Sequence, residues 1–126
     1  MANERILVID DDRTVHTFLK AVFGKAGYKV YSALDALQGP MMARQFNPDL
    51  IVLDLALPGG GGPSVLQRVR TMQGMMQIPV LVYSGIGQER VEQLVPAAPD
   101  VVHIAKPGTP EELLQAAASL LGERSS

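Results

Sequence analysis

The run Leu50-Ile51-Val52-Leu53 is four branched aliphatic residues in succession, and it ends on Asp54. A strand with one wet face alternates apolar and polar residues. A strand that is apolar at every position must be covered on both faces, as happens in a parallel sheet flanked by helices. A second run, Ile6-Leu7-Val8-Ile9, is built the same way and ends on Asp10, Asp11 and Asp12. Two buried strands thus deliver carboxylates to their carboxyl ends, the edge at which parallel α/β sheets collect their chemistry. Carboxylates held close together repel one another, so such an edge requires a cation.

Apolar runs alternate with segments of helical period along the chain, the pattern of a repeated βα unit. Strands are expected at about 5–10, 28–33, 50–54, 79–84 and 101–105. The first helix carries an apolar stripe of Val15, Phe18, Leu19, Val22 and Ala26, and Gly27 stops it. Gly39-Pro40 delays or distorts the second, because proline is tolerated only near a first turn. Pro63 predicts the start of the third, and its end is expected near Gly74. The fourth, near Gln88 to Val95, is cut short by Pro96 and Pro99. Thr109-Pro110-Glu111-Glu112 reads as a capping box that opens the fifth. Leu113, Ala117, Leu120 and Leu121 form its buried stripe, and Gly122 is expected to end it, leaving a polar tail over 122–126. The expectation is a doubly wound, five-stranded parallel sheet of order 2-1-3-4-5 with five helices.

With 126 residues there is room for one domain, its core over about 5–121. Apolar residues make up 47% and charged ones 19%, which argues against disorder. The formal charge of −2 and the scattered Lys and Arg provide no stripe for a phosphate backbone, so no direct nucleic-acid contact is expected. The absence of cysteine excludes disulfides and thiolate metal sites. The start lacks the apolar stretch of a signal peptide, and no segment is suited to span a bilayer, so a cytoplasmic protein is expected. Gly59-Gly60-Gly61-Gly62 predicts backbone freedom beside the Asp54 loop.

In the expected strand order the first and third strands flank the switch point, with the fourth and fifth beside them. Asp10, Asp11, Asp54, Ser84 and Lys106 could then meet above one edge. Three acids, a hydroxyl and an ammonium suit Mg²⁺, which takes few carboxylates, keeps several waters and bridges to phosphate oxygens. Asp54 can serve as a nucleophile toward a phosphoryl group, with Lys106 neutralising charge on the transferred oxygens. Asp12 reads as a solvated residue or as support for the start of the first helix. His103 reads as a packed or half-exposed strand residue. His16 lies among polar neighbours and receives no role.

Four motifs in order, Ile9-Asp10-Asp11-Asp12, Leu53-Asp54-Leu55-Ala56-Leu57-Pro58 followed by Gly62, Val82-Tyr83-Ser84-Gly85 and Ala105-Lys106-Pro107, carry a resemblance. From about Arg5 to Leu121 the chain resembles a response-regulator receiver domain of two-component signalling, a flavodoxin-like fold. The resemblance implies that Asp54 accepts a phosphoryl group from a histidine kinase or histidine phosphotransfer protein. It implies Mg²⁺ held directly by Asp11 and Asp54, through water by Asp10, and by the backbone carbonyl of Ala56. Ser84 and Lys106 would each bind a phosphoryl oxygen, with Ser84 drawn inward after transfer. His103 stands where the family keeps a Tyr or Phe whose rotamer reports activation, so Ser84 and His103 form the expected switch. The output would be a downstream effector protein or output domain, and the chain a signalling switch rather than an enzyme. Gly108 departs from the family, which often has an aromatic residue after Lys-Pro.

Two other readings stand beside it. Asp10-Asp11-Asp12-Arg13-Thr14 also fits the opening signature of haloacid-dehalogenase-like phosphatases, with Asp10 as nucleophile and Asp12 as general acid. That reading lacks a later acid pair and leaves the Asp54 motif unexplained. A degenerate receiver that only docks proteins is the other, and the intact set of acids, Ser84 and Lys106 counts against it.

Overall fold

The computed structural model describes residues 3–125. Among them five strands, β1 (Arg5–Ile9), β2 (Lys29–Ala33), β3 (Leu50–Leu53), β4 (Val80–Ser84) and β5 (Val101–Ala105), alternate with five helices. The helices are α1 (Arg13–Lys25), α2 (Gln38–Phe46), α3 (Gly61–Arg70), α4 (Gln88–Leu94) and α5 (Pro110–Ser125). The strands form one sheet of order β2-β1-β3-β4-β5, parallel at every pairing.

Side-chain alternation along the inner strands divides the core in two. Leu7, Ile9, Ile51, Leu53, Val80 and Val82 pack with Ala43 of α2, Val65 and Val69 of α3 and Val91 of α4. Ile6, Val8, Leu50, Val52, Leu81 and Tyr83 face the other way, onto Leu19, Val22 and Phe23 of α1 and Leu113, Ala117, Leu120 and Leu121 of α5. The unbroken aliphatic runs therefore do what they require, with every side chain of β3 buried on one face or the other. Each such side chain contributes up to about 1.5–3 kcal/mol by leaving water.

The helix starts follow local chemistry. Asp12 caps α1 by accepting from the Thr14 N–H at 2.9 Å. At α5 the Thr109 hydroxyl accepts from Glu112 N–H at 3.1 Å while the Glu112 carboxylate accepts from Thr109 N–H at 2.9 Å, the reciprocal pair of a capping box. α2 starts late, with Pro40 as its third residue, and the Asp35 carboxylate accepts from Leu37 and Gln38 N–H ahead of it.

Three helix boundaries differ from expectation. α3 begins at Gly61 rather than Pro63 and ends at Arg70 rather than near Gly74. Pro63 falls within the first turn, where an N–H has no intrahelical acceptor to lose. At the other end the Thr71 hydroxyl and backbone N–H both turn back onto the Arg68 carbonyl, which closes the helix early. α5 continues through Gly122 to Ser125, so the expected tail is helical over 122–125, and Ser126 lies outside the described residues. A glycine weakens a helix by about 1 kcal/mol against alanine, but it ends one only by taking a left-handed conformation, and Gly122 is not among the residues of positive φ.

The glycine run has separate duties. Gly59 and Gly60 turn the chain with φ of 69° and 70°, and Gly62 lets α3 press against the end of β3. A Cβ on Gly62 would lie 2.5 Å from Leu55 Cα and 2.7 Å from the Asp54 carbonyl oxygen. No helix among the described residues is long and apolar enough to cross a membrane. Gly62→Ala is expected to destabilise the fold by about 1–3 kcal/mol, the usual cost of forced overpacking. Urea unfolding followed by circular dichroism measures it, and an unchanged midpoint would refute the close-approach account.

Candidate functional site

The sheet ladder runs one residue past three strands and fixes the backbone beneath the site. Asp10 N–H donates to the Ala33 carbonyl at 3.1 Å, Asp54 N–H to Ile9 at 3.0 Å and Lys106 N–H to Ser84 at 3.0 Å. Residues 10, 54, 84 and 106 thus stand in a row at the carboxyl edge, because β1 and β3 are neighbours and β4 and β5 follow in order.

Their side chains converge. Carboxylate oxygens of Asp10, Asp11 and Asp54 lie within 4.8 Å of one another, with Asp10 and Asp54 buried and Asp11 exposed. The Lys106 ammonium donates to Asp10 Oδ2 at 2.7 Å and to Asp54 Oδ2 at 3.3 Å. Asp54 Oδ1 accepts from the Ser84 hydroxyl at 2.8 Å and from the Ala56 N–H at 2.9 Å. Asp54 therefore has a donor on each oxygen although it is only 6% exposed, which is what keeps a buried carboxylate tolerable. Burial opposes the Lys106 ammonium, but the hydrogen bond and charge of Asp10, reinforced by Asp54, outweigh it and raise its pKa above the ordinary lysine value.

Three formal negative charges meet one positive charge here. The excess is two, and every donor atom of the acids is a hard oxygen. That chemistry fits Mg²⁺, for which Asp10, Asp11 and Asp54 offer ligand atoms.

Ser84 is fully buried and already bonded to Asp54 in this state. His103 lies apart from the acids. It is half-buried on β5, and its Nδ1 pairs with Gln88 Oε1 at the start of α4, while the Gln88 amide donates to Glu92 at 3.2 Å. Asp12 directs its carboxylate to the Thr14 N–H, so it does not face Asp10 as a general acid of the phosphatase reading would.

His16 is where the sequence reading misses. It is 5% exposed, and its Nε2–H donates to the Asp10 carbonyl at 2.7 Å. It braces the loop that carries Asp10 and Asp11. The available signal was its spacing of three and seven residues from Leu19 and Phe23, which puts it on the buried face of α1.

The response regulator receiver domain model matches residues 6–118. The DNA-binding dual master transcriptional regulator RpaA of Synechocystis is 38% identical over 119 residues, which are 93% of this chain and 48% of that protein. The chain thus spans about half the length of that relative. Sporulation initiation phosphotransferase F of Bacillus subtilis is 30% identical over 126 residues, all of both chains. In fold, the receiver domain of the sensor histidine kinase PA1611 from Pseudomonas aeruginosa, with a magnesium ion coordinated in its active site cleft, matches with a TM-score of 0.85. The identity is 23%, over 96% of this chain and 99% of that one. With the family model spanning residues 6–118 and a relative 30% identical over its whole length, the chain belongs to the response regulator receiver domain family of two-component signalling.

Proposed function

We propose that Asp54 is the phosphoacceptor, and that residues of the 5–121 core act as one switching unit loaded by a histidine kinase or histidine phosphotransfer protein. The observation that carries this reading is the convergence of three carboxylates on one edge with Lys106 bridging two of them. A carboxylate oxygen of Asp54 forms the new P–O bond as the P–N bond of the donor phosphohistidine breaks, and the imidazole nitrogen keeps the electron pair. Lys106 is placed to neutralise charge on the transferred oxygens. Asp11 and Asp54 would hold Mg²⁺ directly, Asp10 through water, and the Ala56 backbone carbonyl would complete the protein ligands. When bound, Mg²⁺ supplies charge neutralisation between carboxylates and phosphoryl oxygens; the magnesium in the PA1611 cleft supports this assignment.

On this reading Ser84 exchanges its acceptor from Asp54 Oδ1 to a phosphoryl oxygen. Differential hydrogen bonding in the two states of the loop after β4 is then the energy that moves the surface of α4 and β5, where His103 holds Gln88. The output goes through protein contacts to an effector or an output domain, in the cytoplasm. The protein acts as a switch, with slow loss of its own phosphate as its only turnover.

Labelling by acetyl phosphate in Mg²⁺ tests the reading. Asp54→Asn is expected to abolish it; labelling that survives Asp54→Asn but not Asp10→Asn would favour the phosphatase, and a wild type that never labels would favour a docking module. Asp11→Asn is expected to weaken Mg²⁺ binding roughly tenfold, about 1.4 kcal/mol, in a direct titration. Ser84→Ala should still take up phosphate but show smaller amide shifts over β4 and β5 on phosphorylation. Identical shifts in the two proteins would remove Ser84 from the switch.

The lifetime of the phosphorylated state follows from the residues at the mouth. Exposed Ala56 and half-buried Ile86, two positions after Asp54 and Ser84, have no side-chain group to orient an attacking water. The double variant Ala56→Asn, Ile86→Glu is expected to lose phosphate roughly 10–100 times faster than wild type. Autodephosphorylation in Mg²⁺ measures it, and equal decay would refute the account.

A further inference from the structure

We propose that Tyr83 is the positioning residue of Lys106, and that Gly108 is glycine because Ile104 and the Tyr83 ring together leave no space for a side chain there. This inference rests on the reading above only for what Lys106 does to a phosphoryl group. A lysine side chain is a flexible stem with an ammonium at its tip, and holding it across two carboxylates needs constraint from outside. Lys106 lies just past the end of β5, in the segment that leads to α5. Its own backbone N–H is tied to the Ser84 carbonyl. Two residues further on, the Gly108 N–H donates to the Tyr83 hydroxyl at 3.1 Å. The Tyr83 ring itself lies 5.6 Å from the Lys106 ammonium, within the distance at which an aromatic face attracts a cation.

Strand alternation explains why one residue can do all this. Ser84 faces Asp54, so its neighbour Tyr83 faces the α1 and α5 side, where it is 4% exposed. A tyrosine so buried must find a partner for its hydroxyl, and the Gly108 N–H, two residues before α5, supplies it. The fit leaves no space at residue 108. A Cβ there would lie 2.8 Å from Ile104 Cγ2 and 3.3 Å from the Tyr83 ring. Gly108 breaks the family pattern of an aromatic after Lys-Pro, and the Tyr83 ring stands against it. Adjacent residues of β4 thus serve the two halves of the site: Ser84 holds Asp54 directly, and Tyr83 holds the chain two residues after Lys106 and presents its ring to the ammonium.

The test compares Tyr83→Phe, which keeps the ring, and Tyr83→Leu, which removes ring and hydroxyl, in wild-type and Lys106→Ala backgrounds. In the wild-type background the maximal rate of Asp54 labelling by acetyl phosphate is expected to fall a few-fold for Tyr83→Phe and roughly 10- to 100-fold for Tyr83→Leu. Half-saturating acetyl phosphate should stay unchanged, and Mg²⁺ should bind as tightly as before or more tightly, because a displaced ammonium competes less for Asp10 and Asp54. In the Lys106→Ala background both substitutions should do nothing further. Effects that add in full across the two backgrounds, or rate and Mg²⁺ binding that weaken together, would show a merely structural tyrosine and overturn the proposal. Should Tyr83→Leu fail to fold, Tyr83→Phe carries the same comparison. Should wild type take no phosphate, the reading of the site falls, while the Mg²⁺ titrations across the two backgrounds still decide the role of Tyr83.

Discussion

The contact on which the rest of this structure depends is the bridge from Lys106 to Asp10 and Asp54, at 2.7 and 3.3 Å. Asp10 and Asp54 are both buried, with carboxylate oxygens within 4.8 Å of each other. At an effective dielectric near 20, two like charges no farther apart than that repel by at least about 3.5 kcal/mol. A domain is stable by only about 5–15 kcal/mol. Lys106 offsets that repulsion from the far end of the chain, 96 residues from Asp10 in sequence. The bridge ties β1, β3 and the segment after β5 together at the one edge where the sheet is polar.

The bridge does not satisfy the site. One ammonium among three carboxylates leaves a formal excess of two negative charges, and the exposed member, Asp11, lies where an ion can arrive from water. The same imbalance that makes the edge costly suits it to a cation, and the oxygen-only donor set favours a hard one. Asp54 is the best supported of the three, with Ser84, Ala56 and Lys106 all donating to it. Positioning of this kind is the larger part of what a phosphoryl-transfer site must provide, and it is what the proposed acceptor role of Asp54 calls on.

Membership of the receiver family gives these contacts their meaning and also their limits. The match to RpaA covers about half of that protein, and the match to the sporulation phosphotransferase covers all of it. The shared part is the receiver domain, and the acids, Ser84 and Lys106 lie within it. Individual features of this chain sit around that shared set. His103 bonds Gln88 across to α4, His16 braces the Asp10 loop, and Tyr83 takes the space beside Gly108. Each lies one contact away from a group that faces the site or the surface that would respond to it.

Residue order alone determined the sheet, because Leu50-Ile51-Val52-Leu53 and Ile6-Leu7-Val8-Ile9 have no polar position and must be covered on both faces. It also determined which residues reach the edge, since Asp10, Asp54, Ser84 and Lys106 each end or follow an apolar run, and a strand delivers its last residue to the end of the sheet. Capping was legible for the same reason of locality: Thr109 and Glu112 bond within three residues of each other. What only the folded structure decided is of two kinds, the ends of particular helices and the contacts between segments far apart. α5 passes through Gly122 because nothing there demands a left-handed turn, and α3 stops at Arg70 because Thr71 bonds back onto it. Ser84 is bonded to Asp54 across 30 residues, and Tyr83 to Gly108 across 25. Sequence periodicity reports which face of an element is apolar, but it carries no information about which distant atom comes to rest against that face.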